Sequence, residues 1–364
     1  MQQVIIDFGR HDLLGLGAPL RIYGYGLMLV LGFLTGIWLA RWRAGRFGEN
    51  PHKVSTLGLL ALVGGVVGAR LAYVIEKWDE FRPLAGGQRD TLWAMINITS
   101  GGLIYYGGVA LATIVIFLYL RRRRLPIRRY LDIIAPSLMV GLAFGRAGCL
   151  LNGCCFGGPC RHDYALSMRF PYAAKPLLKL DSKSNVFGGA AICPVFAHQV
   201  ATGRIPPSDL PDWLLVNRPN AHRAAVLKSP ADLTDQEARQ AMSLRSQPVR
   251  PAQVYGICNA LLLAGILLNL SRLRRREGQV FVIMLVLYPI TRIVLESIRG
   301  DNPHRLLAGE LTHNQWVSLA IVAAGVAAWF LLRLLPPAAG GFWSQRLAVA
   351  PAGKATSQRR RKGR

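Results

Sequence analysis

Apolar residues gather along the chain into seven blocks, at 20–40, 55–75, 103–120, 131–151, 252–270, 280–298 and 315–335. Each runs for about 20 residues, the length an α-helix needs to cross the roughly 30 Å hydrocarbon core of a bilayer. A polar stretch from 157 to 250, rich in proline and mixed in charge, separates the fourth block from the fifth. Within it, 208–215 and 230–244 read as short helices, the second with Asp232, Asp235 and Glu237 near its start, where the helix dipole favours acids. Beyond 335 the pattern ends in a tail closing on Arg359-Arg360-Arg361-Lys362, which reads as disordered and held near anionic headgroups. No internal repeat interrupts this order.

Charge decides which side each loop takes. The connections after the first, third and fifth blocks carry Arg41, Arg43, Arg46 and Lys53, then Arg121-Arg122-Arg123-Arg124 with Arg128 and Arg129, then Arg272, Arg274, Arg275 and Arg276. The short segments on the opposite side hold only Arg10, Lys77, Arg82, Arg89, Arg299 and Arg305. Cytoplasmic loops are the basic ones, so the N-terminus is expected outside and the C-terminus in the cytoplasm, as an odd number of crossings requires. The expected fold is an all-α integral membrane protein of seven transmembrane helices over 1–335. An extracytoplasmic cap at 157–250 would lie between helices four and five, and 336–364 would form the basic tail. The first 17 residues lack a basic start followed by an apolar run and a small-residue cleavage site, so the first helix is expected to do the targeting.

Composition agrees with that pattern. Hydrophobic residues make up 52% and charged ones 17%, which excludes a soluble cytosolic enzyme. The net charge of +25 raises the question of a nucleic-acid binder, but such proteins spread lysine and arginine over a soluble face, whereas here they flank apolar blocks. No nucleic-acid partner is expected.

Candidate chemistry lies in polar residues at membrane depth, where an ionisable side chain is costly and faces a partner or a cavity. The fourth block holds Arg146 among Gly141, Gly145 and Gly148, and continues through Cys149, Asn152, Gly153, Cys154 and Cys155 to Gly157. The sixth holds Tyr288, Arg292, Glu296 and Arg299. Offsets of four and seven put Arg292, Glu296 and Arg299 on one helical face, so Glu296 can pair with either arginine and leave the other free for an anion. Arg299 and Glu296 lie near a block end and have the alternative of snorkelling to the interface. One glutamate does not neutralise both Arg146 and Arg292, and a phosphate-bearing lipid would supply the missing anion in a form that suits the guanidinium fork. Two further clusters stay open between readings. Gly64, Gly65, Gly68, Arg70 and Tyr73, with Gly101-Gly102 and Gly107-Gly108 around Tyr105-Tyr106, fit either a backbone bent to present a phenol or an interfacial aromatic belt with glycines for helix packing. Tyr23 and Tyr25 in the first block default to the belt.

These residues together resemble the bacterial prolipoprotein diacylglyceryl transferases. The resemblance is carried by Tyr25-Gly26-Leu27-Met28, Gly68-Ala69-Arg70-Leu71, the paired glycines, Asp132-Ile133-Ile134-Ala135-Pro136 and Gly145-Arg146 through Asn152-Gly153 to Gly157. It continues in Phe170-Pro171, Pro251-Ala252-Gln253-Val254-Tyr255, Tyr288 through Arg292 and Glu296 to Arg299, and Gln315 with Ser318. It implies a multi-pass enzyme of the bacterial inner membrane that moves a diacylglyceryl group from phosphatidylglycerol to the lipobox cysteine of prelipoproteins, releasing glycerol phosphate. Its implied partners are phosphatidylglycerol, prelipoprotein signal peptides and membrane lipids, with no cofactor and no metal. By the same resemblance Arg146 and Arg292 would be catalytic with Tyr106, and Tyr25, Arg70, Asn152, Gly157, Gln253, Glu296 and Arg299 would contact substrate.

The chain departs from the family pattern within that set. Tyr106 stands where the family usually has histidine, Cys149 where it has asparagine, Cys154 where it has glutamate, Arg250 where it has histidine and Gly256 where it has glutamate. A free phenol has a pKa near about 10, so Tyr106 acts as a base only if arginines stabilise its phenolate. The outer cysteines admit a structural disulfide such as Cys160–Cys193, a redox role for Cys154 and Cys155, or soft-metal binding by Cys149, Cys154, Cys155, Cys160 and His162. The last has no recognised zinc spacing. Cys258, inside a block, reads as buried packing. The competing functional readings are a non-catalytic anionic-lipid-binding protein or transporter, and a membrane thiol oxidoreductase using Cys154 and Cys155.

Overall fold

A computed structural model describes residues 3–7, 21–81, 94–96, 102–161, 164–179, 186–187, 190–217, 226–301, 305–306 and 311–335. The expectations for the start of the chain at 8–17, for Gly101 and His162, and for the tail at 336–364 lie outside the described residues. Seven long helices follow the seven apolar blocks: α1 Gly24–Arg46, α2 Pro51–Glu76, α3 Tyr105–Arg122, α4 Ile127–Asn152, α5 Ala252–Leu273, α6 Gln279–Ile298 and α7 His313–Arg333. Six are long and apolar enough to cross a membrane. The exception is α3, whose 18 residues include Arg121 and Arg122 in the last turn. Leu34, Trp38, Leu62, Ile75 and Leu331 stand exposed along these helices, as expected of faces that meet lipid rather than protein.

The chain divides into two compact units. The first comprises Met1–Ala40, Ile134–Ile266 and Val282–Ala328. In it the first helix starts later than the apolar block suggested, because Arg21–Tyr23 pairs as a strand with Val4–Asp7 and only then does the backbone coil. Leu178–Lys179 pairs with the other edge of Val4–Asp7 in parallel. Arg21 Nε donates to the fully buried Asp7 carboxylate at 3.2 Å. Phe156, Phe170, Tyr172, Phe196 and Leu214 centre a hydrophobic core that Val4 of the N-terminal strand joins and Leu150 of α4 packs against. The helix expected over 230–244 is shorter than its pattern. Pro230–Asp232 forms a separate 3-10 turn, and Asp235–Ala241 is the helix, capped by Thr234 and Glu237 in a reciprocal box. Over 208–215 only two 3-10 turns form, Pro207–Asp209 and Asp212–Leu214, because Pro211 stops the first and Leu215 enters a strand.

The second unit comprises Arg41–Ile133, Leu267–Phe281 and Trp329–Arg364. Its centre is the α2–α3 pair. Glycine makes that contact possible: a Cβ on Gly68 would sit 2.5 Å from Gly107 O, and one on Gly108 would sit 2.7 Å from Gly65 O. The glycines around Tyr105-Tyr106 therefore serve close helix packing, the second of the two readings left open. Below this pair the basic helix ends are tied together. Arg43 donates to the carbonyls of Ile133 and Asp132 and to Ser271 Oγ; Arg129 bridges Glu49 at 2.9 Å and Glu277 at 2.6 Å. Asp132, fully buried, accepts from Gly278 N at 2.8 Å, Phe281 N at 3.0 Å and Arg274 Nη1 at 3.3 Å.

Candidate active site

In the first unit α4, α5, α6 and the turn after α4 position a cluster of charged and thiol side chains. On α6 the i, i+4 spacing works as read: Arg292 Nη1 meets Glu296 Oε2 at 2.6 Å. Arg299 Nη1 reaches the same oxygen at 3.4 Å and grips Asp301 with Nε and Nη2 at 2.9 and 3.0 Å. Asn314 donates to the other oxygen of Glu296 at 2.9 Å. Glu296 is 4% exposed, so its charge is held by three donors rather than by water. The snorkelling alternative for this pair is thereby set aside, and so is the expectation that one arginine of the line stays free, because Glu296 reaches both and Asp301 takes the rest of Arg299.

Arg146 is treated differently. Among the described residues no carboxylate pairs with it, although Arg292 and Cys155 lie within its electrostatic reach. The wall beside it is Gly256, where an added Cβ would stand 3.1 Å from Arg146 Cδ and 3.4 Å from its Nε. Arg292, with Arg146, Arg299 and Tyr288 as electrostatic neighbours, completes a positive set that Glu296 and Asp301 only partly balance. Such a set suits an anion of fork-matching geometry.

The turn after α4 follows from one glycine. Gly153, at φ +74°, stands at C′ of a Schellman turn: Cys154 N donates to Cys149 O at 3.1 Å and Gly153 N to Leu150 O at 3.3 Å. That turn brings the side chains five apart, Cys149 and Cys154, together. Cys155, at φ +55°, folds back so that the three sulfurs lie within 4.8 Å of one another. Hydrogen bonds from Cys149 and Cys154, and then the guanidiniums of Arg299 and Arg146, hold the Cys155 thiol below its ordinary range. All six cysteines are free thiols, so the Cys160–Cys193 disulfide is not formed. Cys193 is fully buried in the core that includes Phe196, and burial raises its thiol to about 11, whereas Cys258, expected as buried packing, stands exposed on α5, on a face without protein against it.

The remaining expected residues distribute as follows. Tyr25, at the start of α1, lays its ring against Gly148 and has Arg146 and the three cysteines as electrostatic neighbours. Asn152 ends α4, and its carbonyl accepts from Gln3 Nε2 at 3.3 Å. Gln253, fully buried, donates to Cys154 O at 2.8 Å, while its own Oε1 is buried and meets no partner. Gly157 is clamped between Arg250, whose carbonyl accepts from Gly157 N at 3.1 Å, and Arg299, to which it forms a bridge. Past it a hollow of about 510 Å³ opens among Pro159, Cys160, Arg161, Tyr164 and Arg250. Arg70 and Tyr106 belong to the second unit. Arg70, 7% exposed, spends its donors on the carbonyls of Ala94, Met95 and Gly102 and stacks 5.1 Å from Tyr73. Tyr106 is half exposed, edge-on to Tyr105 at 5.7 Å. The sequence reading missed Asn314, a partner of Glu296; its one signal was an amide next to Gln315 at the polar start of an apolar block.

Membrane-length helices, with an arginine that no described carboxylate pairs and an Arg-Glu-Arg line centred on a buried glutamate, define a multi-pass membrane protein with a positive set suited to an anion. The profile of the family described as prolipoprotein diacylglyceryl transferase matches residues 12–331, and the chain belongs to that family. It is 30% identical to the phosphatidylglycerol–prolipoprotein diacylglyceryl transferase of Rhodopirellula baltica, over 90% of this chain and 76% of that protein. It is 27% identical to the like-named protein of Bdellovibrio bacteriovorus, over 83% and 86%, and 22% identical to that of Clostridium tetani, over 84% and 92%.

Proposed function

We propose that the protein is a transferase that moves the diacylglyceryl group of phosphatidylglycerol to the lipobox cysteine thiol of prelipoproteins and releases glycerol phosphate. The observation that carries this reading is Arg146, a guanidinium on membrane-length α4 that no carboxylate pairs among the described residues, within electrostatic reach of an Arg292 already paired to Glu296. In the reaction the acceptor sulfur bonds to the glyceryl carbon and the carbon–oxygen bond to phosphate breaks. The leaving phosphate gains negative charge as that bond breaks, and fixed guanidiniums stabilise it without reorganising. Arg146 and Arg292 take this role, Arg299 and Glu296 hold Arg292 in place, and Tyr25, Asn152, Gly157 and Gln253 shape the pocket. Tyr106 is the proposed proton acceptor and Arg70 a substrate contact.

The same reading makes α3 the seventh crossing, puts 157–250 outside as a cap, and seats the protein in the bacterial inner membrane with 336–364 on the cytoplasmic side. Support comes from the second unit, where the Arg-rich ends of α1, α5 and α7 and the starts of α4 and α6 share one hydrogen-bonded network, as alternating crossings require. The prelipoprotein would approach by its signal peptide. The test is transfer of labelled lipid from phosphatidylglycerol vesicles to a lipobox peptide. Arg146→Ala and Arg292→Ala should each lower the rate by about 10²–10³-fold, as loss of one fixed donor does elsewhere. Undiminished transfer by either variant overturns the assignment.

A further inference from the structure

The transfer reaction needs its acceptor thiol as thiolate, since the thiol form is a poor nucleophile. Carboxylates beside the arginines do not serve: Glu296 is held by Arg292, Arg299 and Asn314, and Asp301 is gripped by Arg299. Tyr106, the proposed proton acceptor, belongs to the second unit and does not itself fix the acceptor sulfur in place. What the first unit does bring to the side of Arg146 is sulfur. Cys149, Cys154 and Cys155 converge within 4.8 Å of one another, each partly buried and none in a disulfide.

Two features of the backbone produce that convergence, and only one is generic. A Schellman turn at Gly153 pairs the residues at its C3 and C″ positions in many proteins, usually through an apolar contact. Here both are cysteine. The third sulfur arrives because Cys155, a non-glycine residue, adopts φ +55°. That left-handed conformation is disfavoured for a residue with a Cβ and persists where the surroundings enforce it. Gln253 adds to the enforcement from α5 by donating to Cys154 O at 2.8 Å.

We infer that Cys149, Cys154 and Cys155 form a three-thiolate site for a divalent ion of the zinc class, whose open fourth position takes the acceptor cysteine sulfur. Zinc–sulfur bonds of about 2.3 Å in tetrahedral geometry put sulfurs roughly 3.8 Å apart, a closure of about 1 Å or less from the separations here. Three protein ligands with one position open is the arrangement of catalytic rather than structural zinc. Three thiolates on a divalent ion leave a single net negative charge, and the guanidiniums of Arg146 and Arg299 stand nearby to offset it. A thiol that coordinates such an ion is deprotonated. The acceptor sulfur would thus bind as thiolate, its proton passing to the proton acceptor of the site and on to water. It then forms the bond to the glyceryl carbon while the carbon–oxygen bond gives its electron pair to the departing phosphate. The neutral thioether product is a weak ligand and leaves. The ion changes neither oxidation state nor number.

This inference rests on the transferase reading, and the experiment separates the two. The full-length protein, purified reduced in lipid nanodiscs and stripped by a chelator, is titrated with cobalt(II) as a spectroscopic stand-in and with zinc. The expected result is about one ion per chain with an intense sulfur-to-cobalt band, which shifts when a lipobox peptide is added and stays still with its Cys→Ala version. Cys149→Ser and Cys155→Ser should lose the band, while Cys258→Ser, an exposed position on α5, keeps it. Stripping should lower transfer at least tenfold, with recovery on adding zinc. Absence of the band in the unaltered protein, or a band indifferent to the peptide thiol, overturns the inference. So does full transfer by the stripped protein, which leaves the transferase reading standing. A thiol-dependent band with no transfer in any form supports the ion site and overturns the transferase reading instead.

Discussion

Gly157 illustrates how much of this site depends on atoms that are missing. A Cβ there would stand 2.5 Å from the carbonyl oxygen of Arg250 and 2.8 Å from its Cβ, and the first of these partners is backbone that cannot swing away. Gly157→Ala should therefore cost about 1–3 kcal/mol, read as a lower thermal midpoint in detergent. It should also depress transfer, because the clamp that it loosens includes Arg299. Gly256 presents the opposite case. Its neighbour is the flexible stem of Arg146, and the missing side chain leaves that guanidinium beside a bare wall rather than a carboxylate. Under the proposed function, what position 256 lacks leaves the Arg146 charge available to substrate. These two glycines have equal weight in the sequence and unlike meanings in space.

At the scale of the element, the ends of helices decide more than their apolar middles. The N-cap of Asp235–Ala241 joins Thr234 Oγ1 to Glu237 N and the Glu237 carboxylate to Thr234 N. Thr234→Ala should destabilise that helix by about 1 kcal/mol, seen as faster amide exchange over 235–241. The Thr234 backbone N–H first, and then Lys228, holds the Glu237 carboxyl below the usual glutamate range. Its folded value lies below its unfolded one, so its stabilisation is full above about pH 4.5 and is lost as pH falls through the folded value. Exchange protection of 235–241 should fall over that acid window and stay flat from pH 6 to 8.

The start of α4 makes the same point with a buried charge. Asp132 satisfies two backbone donors ahead of and within α6 and the guanidinium of Arg274. Asp132→Ala strands all three and should cost about 3–5 kcal/mol of thermal stability, far more than loss of an exposed ion pair. A thermal scan of the variant in nanodiscs that matches the unaltered protein would remove Asp132 from this role.

For the whole molecule the testable quantity is orientation. Val216 and Leu273 are each strongly exposed, one in the segment assigned to the outside and one at the Arg-rich end of α5. A membrane-impermeant maleimide applied to intact cells should label Val216→Cys above the background of the parent protein. Leu273→Cys should react only after permeabilisation. The reverse pattern would invert the proposed topology.

The sequence by itself determined the membrane class, the seven long helices to within a few residues, and the one helical face that Arg292, Glu296 and Arg299 share. Each follows from local spacing: block length against bilayer thickness, and four residues per helical turn against side-chain reach. The strand at 21–23 was not legible, because three residues become a strand only when a partner edge is supplied, here by Val4–Asp7. The packing role of the glycines at 68, 107 and 108 stayed undecided for the same reason, since closeness of two helices belongs to neither alone. Only tertiary structure decided which arginine meets no carboxylate among the described residues and where the cysteines meet. A guanidinium is spent or spared by whatever distant residue faces it. Three sulfurs become one cluster through a left-handed turn that cysteine itself disfavours.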